Sequence, residues 1–374
     1  MEKFSAFRDP GTGIQPFLLP VSPSDNGSSA TLLLPIRGAA LILRTFLIAA
    51  IFLLYCGLHY GLCTLLVPIP LLRRSLSRLA TRLAARLALY VLGFMQIQEE
   101  IVAKKRSVHQ LFYAIPRCPQ AGDIIVSNWS SWIDLLWMVY RFDPIFVMPV
   151  FEERKSSVVN SDSSPITYRP GRSKDSGVPS PSSLQTITSR SAVRGFRRVS
   201  LFSMIQTTGH TPDRLTFNTV SQLKELKQSA ERPVVVFPEC TTSNGRGLLR
   251  FVDVFEGTHL PTKQFKVFIM CIRYDPPTPR RPSPSHPIPS YSLNPLRHLF
   301  TLLTSLSSQP MSVCMLPPSE SPSSDLFMAS EVAPVDSLSE ACAVLVERIG
   351  KMRRVRFGWE DKATFLDFYW SRRR

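Results

Sequence analysis

Acidic residues are scarce in this chain. It carries 28 aspartates and glutamates against 44 lysines and arginines, for a formal net charge of +16 and a pI of about 9.9. A surplus of that size points to a polyanionic partner, with nucleic acid and anionic lipid as the two obvious classes. Paired cysteines are also missing. The seven cysteines are odd in number and form no C-x-x-C pair, which argues against a disulfide framework or structural zinc and favours a reducing, cytosol-facing domain. No cluster has metal-ligand spacing, so no metal is expected. No recognised nucleic-acid motif is present, and no internal repeat. The start, Met1-Glu2-Lys3-Phe4, is not followed closely by an apolar stretch, which excludes a signal peptide. What the chain does not lack is apolar bulk: 44% of its 374 residues are hydrophobic and 10% aromatic, enough for a folded core.

Residues 1–44 read as an irregular N-terminal tail, broken by Pro10, Gly11, Gly13, Pro16, Pro20, Pro23 and Gly27. Residues 45–97 read as a membrane segment followed by a basic amphipathic helix. The run from Phe46 to Val67 has no lysine, arginine, aspartate or glutamate, and about 20 such residues suffice to cross a hydrocarbon core. Pro68-Ile69-Pro70 ends it. Arg74, Arg78, Arg82 and Arg86 then recur every four residues, a single stripe on a helix otherwise rich in leucine. That pattern fits a helix lying on anionic headgroups. It also fits a basic face packed on protein. A single span and a Pro-broken hairpin are both open, and the arginines put the C-terminal part in the cytosol either way.

Residues 98–374 read as one α/β domain with a mixed sheet flanked by helices. Strands are expected at 123–127, 233–237 and 266–274. Helices are expected at 132–142, 215–230 and 337–354. Residues 153–193 and 275–292 are rich in serine and proline and read as disordered insertions.

Two strand ends carry polar clusters. The first is Ser127-Asn128-Trp129-Ser130-Ser131-Trp132-Ile133-Asp134. The second is Phe237-Pro238-Glu239-Cys240-Thr241-Thr242-Ser243-Asn244-Gly245-Arg246-Gly247. The carboxyl ends of buried strands are where α/β folds build sites, and a helix start there favours an anion. Taken singly, each cluster could be an ordinary cap. Arg246 and Arg250 either meet phosphate or stay solvated.

Together the clusters resemble the glycerolipid (PlsC-type) acyltransferase family. The second is similar to its F-P-E-G-T-x-S motif and the first to its N-H-x-S-x-x-D motif. The N-terminal MEKFSAFRDPGTGIQPFL resembles fungal lysophosphatidic acid acyltransferase-like proteins. The resemblance implies the corresponding α/β fold and acyl transfer from acyl-CoA, a co-substrate rather than a cofactor, to lysophosphatidic acid or a related lysophospholipid. It implies general-base catalysis by the motif His, oriented by the Asp at position 134. It also implies Asn128, Ser130, Glu239, Thr241, Thr242 and Arg246 as substrate-binding positions, and a home in the endoplasmic reticulum membrane, or lipid droplets if the anchor is a hairpin.

The chain departs from the pattern at the base. Trp129 stands in the His slot, and an indole N–H only donates. Cys240 stands where the motif has Gly. Either a substitute base serves, with His210 and Asp134 itself as candidates, or the fold persists as a lipid- or acyl-CoA-binding protein in membrane trafficking. Nucleic-acid binding is the third and least supported reading.

Overall fold

The computed structural model describes residues 4–21, 34–62, 64, 66–103, 118–151, 192–212, 221–256, 262, 265–324, 327 and 337–371. In chain order its elements are α1 (Leu34–Cys56, continued by a π-helical stretch Gly57–Leu62), α2 (Pro70–Val91), β1 (Ile97–Ile101), β2 (Ile124–Ser127), α3 (Trp132–Phe142), β3 (Ile145–Phe151), β4 (Val193–Val199) and α4 (Leu201–Thr207). There follow α5 (Leu223–Gln228), β5 (Val234–Val236), β6 (Gly247–Leu248), β7 (Val267–Tyr274), α6 (Leu296–Leu303), β8 (Met311–Met315), α7 (Ser337–Gly350), β9 (Arg353–Arg354) and α8 (Trp359–Ser371).

Among the described residues, seven strands form one mixed sheet in the order β1-β8-β7-β2-β5-β3-β4. The centre is parallel: β2 lies between β7 and β5, with Ile125 opposite both Phe268 and Val235. The pairs β7–β8 and β3–β4 are antiparallel. Strand pleating sends alternate residues to opposite faces. Ile125, Val235 and Phe268 therefore pack with α3 and with Leu89 of α2 on one side. Ile124, Val126, Val234 and Ile269 pack with Leu338, Val346 and Ile349 of α7 on the other. The chain is thus α/β, a mixed sheet flanked by helices, with an apolar N-terminal helix.

That helix begins at Leu34, earlier than the expected end of the irregular tail. From Leu34 to Leu62 it is long and apolar enough to cross a membrane, and its most apolar window is wholly unburied. It is nevertheless tied to the domain. Arg44 donates to the carbonyls of Leu303 and Ser305 at the end of α6, where helix carbonyls lack partners of their own. Near its other end His59 Nδ1 lies 3.3 Å from Ser77 Oγ of α2, so α1 and α2 form a helical hairpin.

The arginine stripe of α2 is exposed at Arg74, Arg78 and Arg82 and half-buried at Arg86, yet it has protein partners. Arg74 pairs with Glu231 at 3.2 Å. Arg78 and Arg82 lie near enough to Asp143 to favour its charged form. Arg86 donates to the carbonyls of Phe94 and Met95 and sits over the Tyr140 ring. Leu79, Leu83, Leu87 and Tyr90 are exposed as well, so α2 carries both its basic stripe and a row of apolar side chains at its surface.

Other expectations shift too. The segment 275–292, expected to be a disordered insertion, is folded, and Ser283, Ser285 and His286 in it are buried. Proline has no N–H to satisfy, so a proline-rich segment enters a core with fewer donors needing partners. The other insertion, 153–193, lies almost wholly outside the described residues, and Val193 opens β4. The helix expected to reach residue 354 stops at Gly350, and Arg353–Arg354 pair with Gly247–Leu248 as a short strand.

The N-terminal residues 4–18 are irregular but docked. Phe17 is buried against Phe357 and Phe365, and Asp9 accepts from Arg356 N at 3.1 Å. Phe17→Ala is expected to cost about 3–5 kcal/mol, the range for a buried aromatic. The check is a denaturant-unfolding midpoint in detergent. A loose tail would leave the midpoint nearly unchanged.

Candidate active site

β2 and β5 run parallel and adjacent, so both polar loops leave the sheet at the same edge. Asn128 anchors the first loop. Its side chain accepts from Ile272 N at 2.8 Å and donates to Ile272 O at 2.9 Å, acting as one more strand residue beside β7. Ser131 then caps α3, and Asp134 completes a capping box. Asp134 Oδ2 accepts from Ser130 N at 2.8 Å and Ser131 N at 2.9 Å. Its other oxygen accepts the Tyr274 hydroxyl from the end of β7. Asp134 is fully buried, and burial raises its pKa to about 6 although these three hydrogen bonds oppose the rise.

Glu239 joins the loops. Its Oε2 accepts from Trp129 N at 2.7 Å and its Oε1 from Leu249 N at 2.8 Å. Burial raises its pKa to about 8 against those two bonds. Consecutive backbone N–H groups, Trp129 and Ser130, thus point at the two carboxylates, which meet across one loop. The Trp129 side chain turns into the core. Its ring stacks on Phe237 at 5.1 Å, and its Nε1 donates to Ser131 O at 3.2 Å.

Next to Glu239, Cys240 has φ +58. This is the left-handed region that glycine enters freely, which accounts physically for glycine in the motif. Burial raises the Cys240 thiol pKa well above its usual value, which removes it as a nucleophile. Gly245 also has positive φ, and a Cβ there would meet Ser130 Oγ at 3.3 Å.

Lys362 of α8 is fully buried beneath the second loop. Its Nζ donates to Thr241 Oγ1 at 2.8 Å and Thr242 O at 2.7 Å. Burial holds its pKa well below the usual value, opposed by the Glu239 charge. Thr241 donates to His210 O at 2.8 Å, and Thr242 donates to His286 O at 2.7 Å. His286 N in turn donates to Ser130 O at 2.9 Å. The proline-rich segment therefore bridges both loops.

The imidazoles here have assignable tautomers. Trp132 Nε1 donates to His298 Nδ1 at 2.9 Å, so the His298 proton sits on Nε2, which faces Ser283 O at 3.0 Å. Asn294 Nδ2 donates to two carbonyls, leaving its Oδ1 to accept from His286 Nε2 at 2.8 Å. The two rings stack at 4.8 Å. Burial lowers the pKa of His286 to about 3 and that of His298 to about 4.

The structure thus gathers Asn128, Trp129, Ser130, Asp134, Glu239, Thr241 and Thr242 at one sheet edge, with the His210 backbone beside Thr241. The Arg246 side chain is exposed. Lys362, His286 and Tyr274 were missed from sequence. Lys362 had a signal: Trp359, Lys362, Phe365 and Leu366 share one buried helix stripe. Tyr274 and His286 had no local one.

The chain is 23% identical over 371 residues to a Schizosaccharomyces pombe (strain 972 / ATCC 24843) protein named "Putative lysophosphatidic acid:oleoyl-CoA acyltransferase", covering 98% of both chains. The chain is related to a fungal acyltransferase-like protein. The matched span includes the apolar helix, the sheet and both loops. No family model matches the chain, and no solved structure matches it.

Two outcomes are expected at this site. Glu239→Ala leaves two buried N–H groups unpaired, at about 1–3 kcal/mol each, and Glu239→Gln, with one acceptor retained, loses less. Urea unfolding in detergent measures both. In ¹⁵N spectra at pH 5, His286 and His298 remain neutral, because burial disfavours imidazolium, whereas an exposed histidine is charged at that pH.

Proposed function

We propose that the chain is an acyltransferase of glycerolipid metabolism, moving a fatty acyl group from acyl-CoA to lysophosphatidic acid or a related lysophospholipid. The observation that carries this reading is the meeting of Asp134 and Glu239 across one loop at the ends of parallel strands. The relative's name supports the same class of chemistry and the same two substrates. Glu239 shapes the pocket rather than touching ligand, since it is fully buried and each oxygen accepts a backbone N–H. Asp134 is the acid–base centre. Thr241, Thr242 and the neighbouring backbone form the wall toward the acceptor headgroup.

The membrane is the natural place for two acyl-bearing substrates. Support comes from the unburied apolar helix α1 and the exposed leucines of α2. α1 and α2 are joined at His59 and Ser77 as a hairpin that stays tied to the domain through Arg44, Arg74 and Leu89. On this reading the hairpin anchors the chain to the endoplasmic reticulum membrane or a lipid droplet, with the domain in the cytosol. One observation favours a second reading. The base slot holds Trp129, buried and stacked on Phe237, so a protein that binds acyl-CoA or lipid without turnover is the alternative.

The test is purified full-length protein in mixed micelles with labelled oleoyl-CoA and a panel of lysophospholipids. Acyl transfer by the wild type, reduced about 10²–10⁴-fold in Asp134→Ala, is the expected result. Tight acyl-CoA binding with no product overturns the enzyme reading in favour of the binding protein.

A further inference from the structure

We infer that Tyr274 is the group that takes the proton from the acceptor hydroxyl, passing its own phenolic proton to Asp134 in the same step. This rests on the acyltransferase reading above and names the residue that does the work of the missing histidine.

Asp134 is closed on every side. The carboxylate is fully buried and each oxygen is engaged, Oδ2 by two backbone N–H groups and Oδ1 by the Tyr274 hydroxyl. A substrate hydroxyl cannot reach it without displacing one of these. Backbone amides do not relay protons readily, whereas a phenol both donates and accepts. Tyr274 is half-buried at the end of β7 beside exposed Arg273, with its hydroxyl turned inward onto the carboxylate, so its side chain runs from the strand end to the sealed carboxylate. Trp129 makes no competing bond to Asp134, because its indole N–H is committed to Ser131 O. His286 is a weaker alternative. Its Nε2 is committed to Asn294, and burial leaves the ring a poor proton acceptor.

The protonation states suit a relay. Burial and the Asp134 charge raise the Tyr274 pKa well above its usual value, so no free phenolate forms. Tyr274 acts by receiving one proton as it releases another. Asp134, raised to about 6, is ionised at neutral pH yet close enough to it to hold a proton transiently.

The step balances. The acceptor O–H bond breaks, its proton joins the phenolic oxygen, and the phenolic proton joins Asp134 Oδ1. The acceptor oxygen attacks the thioester carbonyl carbon, forming the C–O ester bond. The tetrahedral intermediate collapses with C–S cleavage, and the departing CoA thiolate takes a proton back from Asp134 through Tyr274. No oxidant, reductant or metal is required.

The experiment uses full-length protein in the same micelle assay with oleoyl-CoA and lysophosphatidic acid. Tyr274→Phe is expected to lower kcat about 10²–10⁴-fold with both KM values little changed. Asp134→Asn is expected to fall similarly, and the double variant no further, because the two act as one unit. Since Tyr274→Phe could disturb folding, 3,5-difluorotyrosine at 274 keeps the shape while making the phenol more acidic. It should alter kcat and its pH profile, and a packing role would leave both unmoved. Wild-type kcat in Tyr274→Phe, an unaltered profile with difluorotyrosine, or multiplicative losses in the double variant would each overturn the relay while leaving the acyltransferase reading intact. An inactive wild type would overturn both.

Discussion

A single buried carboxylate holds two strand-end loops in register. Glu239 takes one backbone hydrogen from Trp129 and another from Leu249. Burying a carboxyl group is costly unless its oxygens find donors, and here the donors belong to two segments, which Ser243 N also joins by donating to Trp129 O. Three further features follow from that bridge. The Trp129–Ser130–Ser131 backbone is fixed, so Asp134 can collect the next two N–H groups. The Thr241–Thr242 pair is presented to Lys362 from below. The proline-rich segment then crosses above, tied to Ser130 and Thr242 through His286. Each layer needs the one beneath it.

At position 129 packing takes the place of a polar side chain. A histidine in the slot of Trp129 would have offered Asp134 a donor. The indole instead fills core space against Phe237, and the donor arrives from the far end of β7 as Tyr274. Cys240 tells a similar story in backbone terms. The left-handed turn that suits glycine is retained at φ +58 with a side chain present, held by the hydrogen bonds on either side of it. A backbone conformation of this kind is tolerated only where its surroundings over-determine it.

Much of this was legible in the sequence, and the rest was not for identifiable reasons. The central strands β2 and β5 and most of β7 are apolar runs buried on both faces, which is how parallel strands announce themselves. β1, with Glu99 and Glu100, sits at the sheet edge and looks polar. β3 contains Pro149, a residue that argues against a strand. The segment 275–292 misled because proline density was read as disorder, although its buried serines and His286 supply the bonds that fold it. Asp134 and Glu239 could be singled out from the two motifs. Their partners Tyr274 and Lys362 lie far off in sequence, and only the folded chain brings them together.

The last tie to the Thr241–Thr242 loop comes from Lys362, 121 residues beyond Thr241. Synthesis runs from the first to the second. On the ribosome, the loop therefore emerges long before its lysine. Its two threonines wait for their buried donor until α8 has been made and has docked.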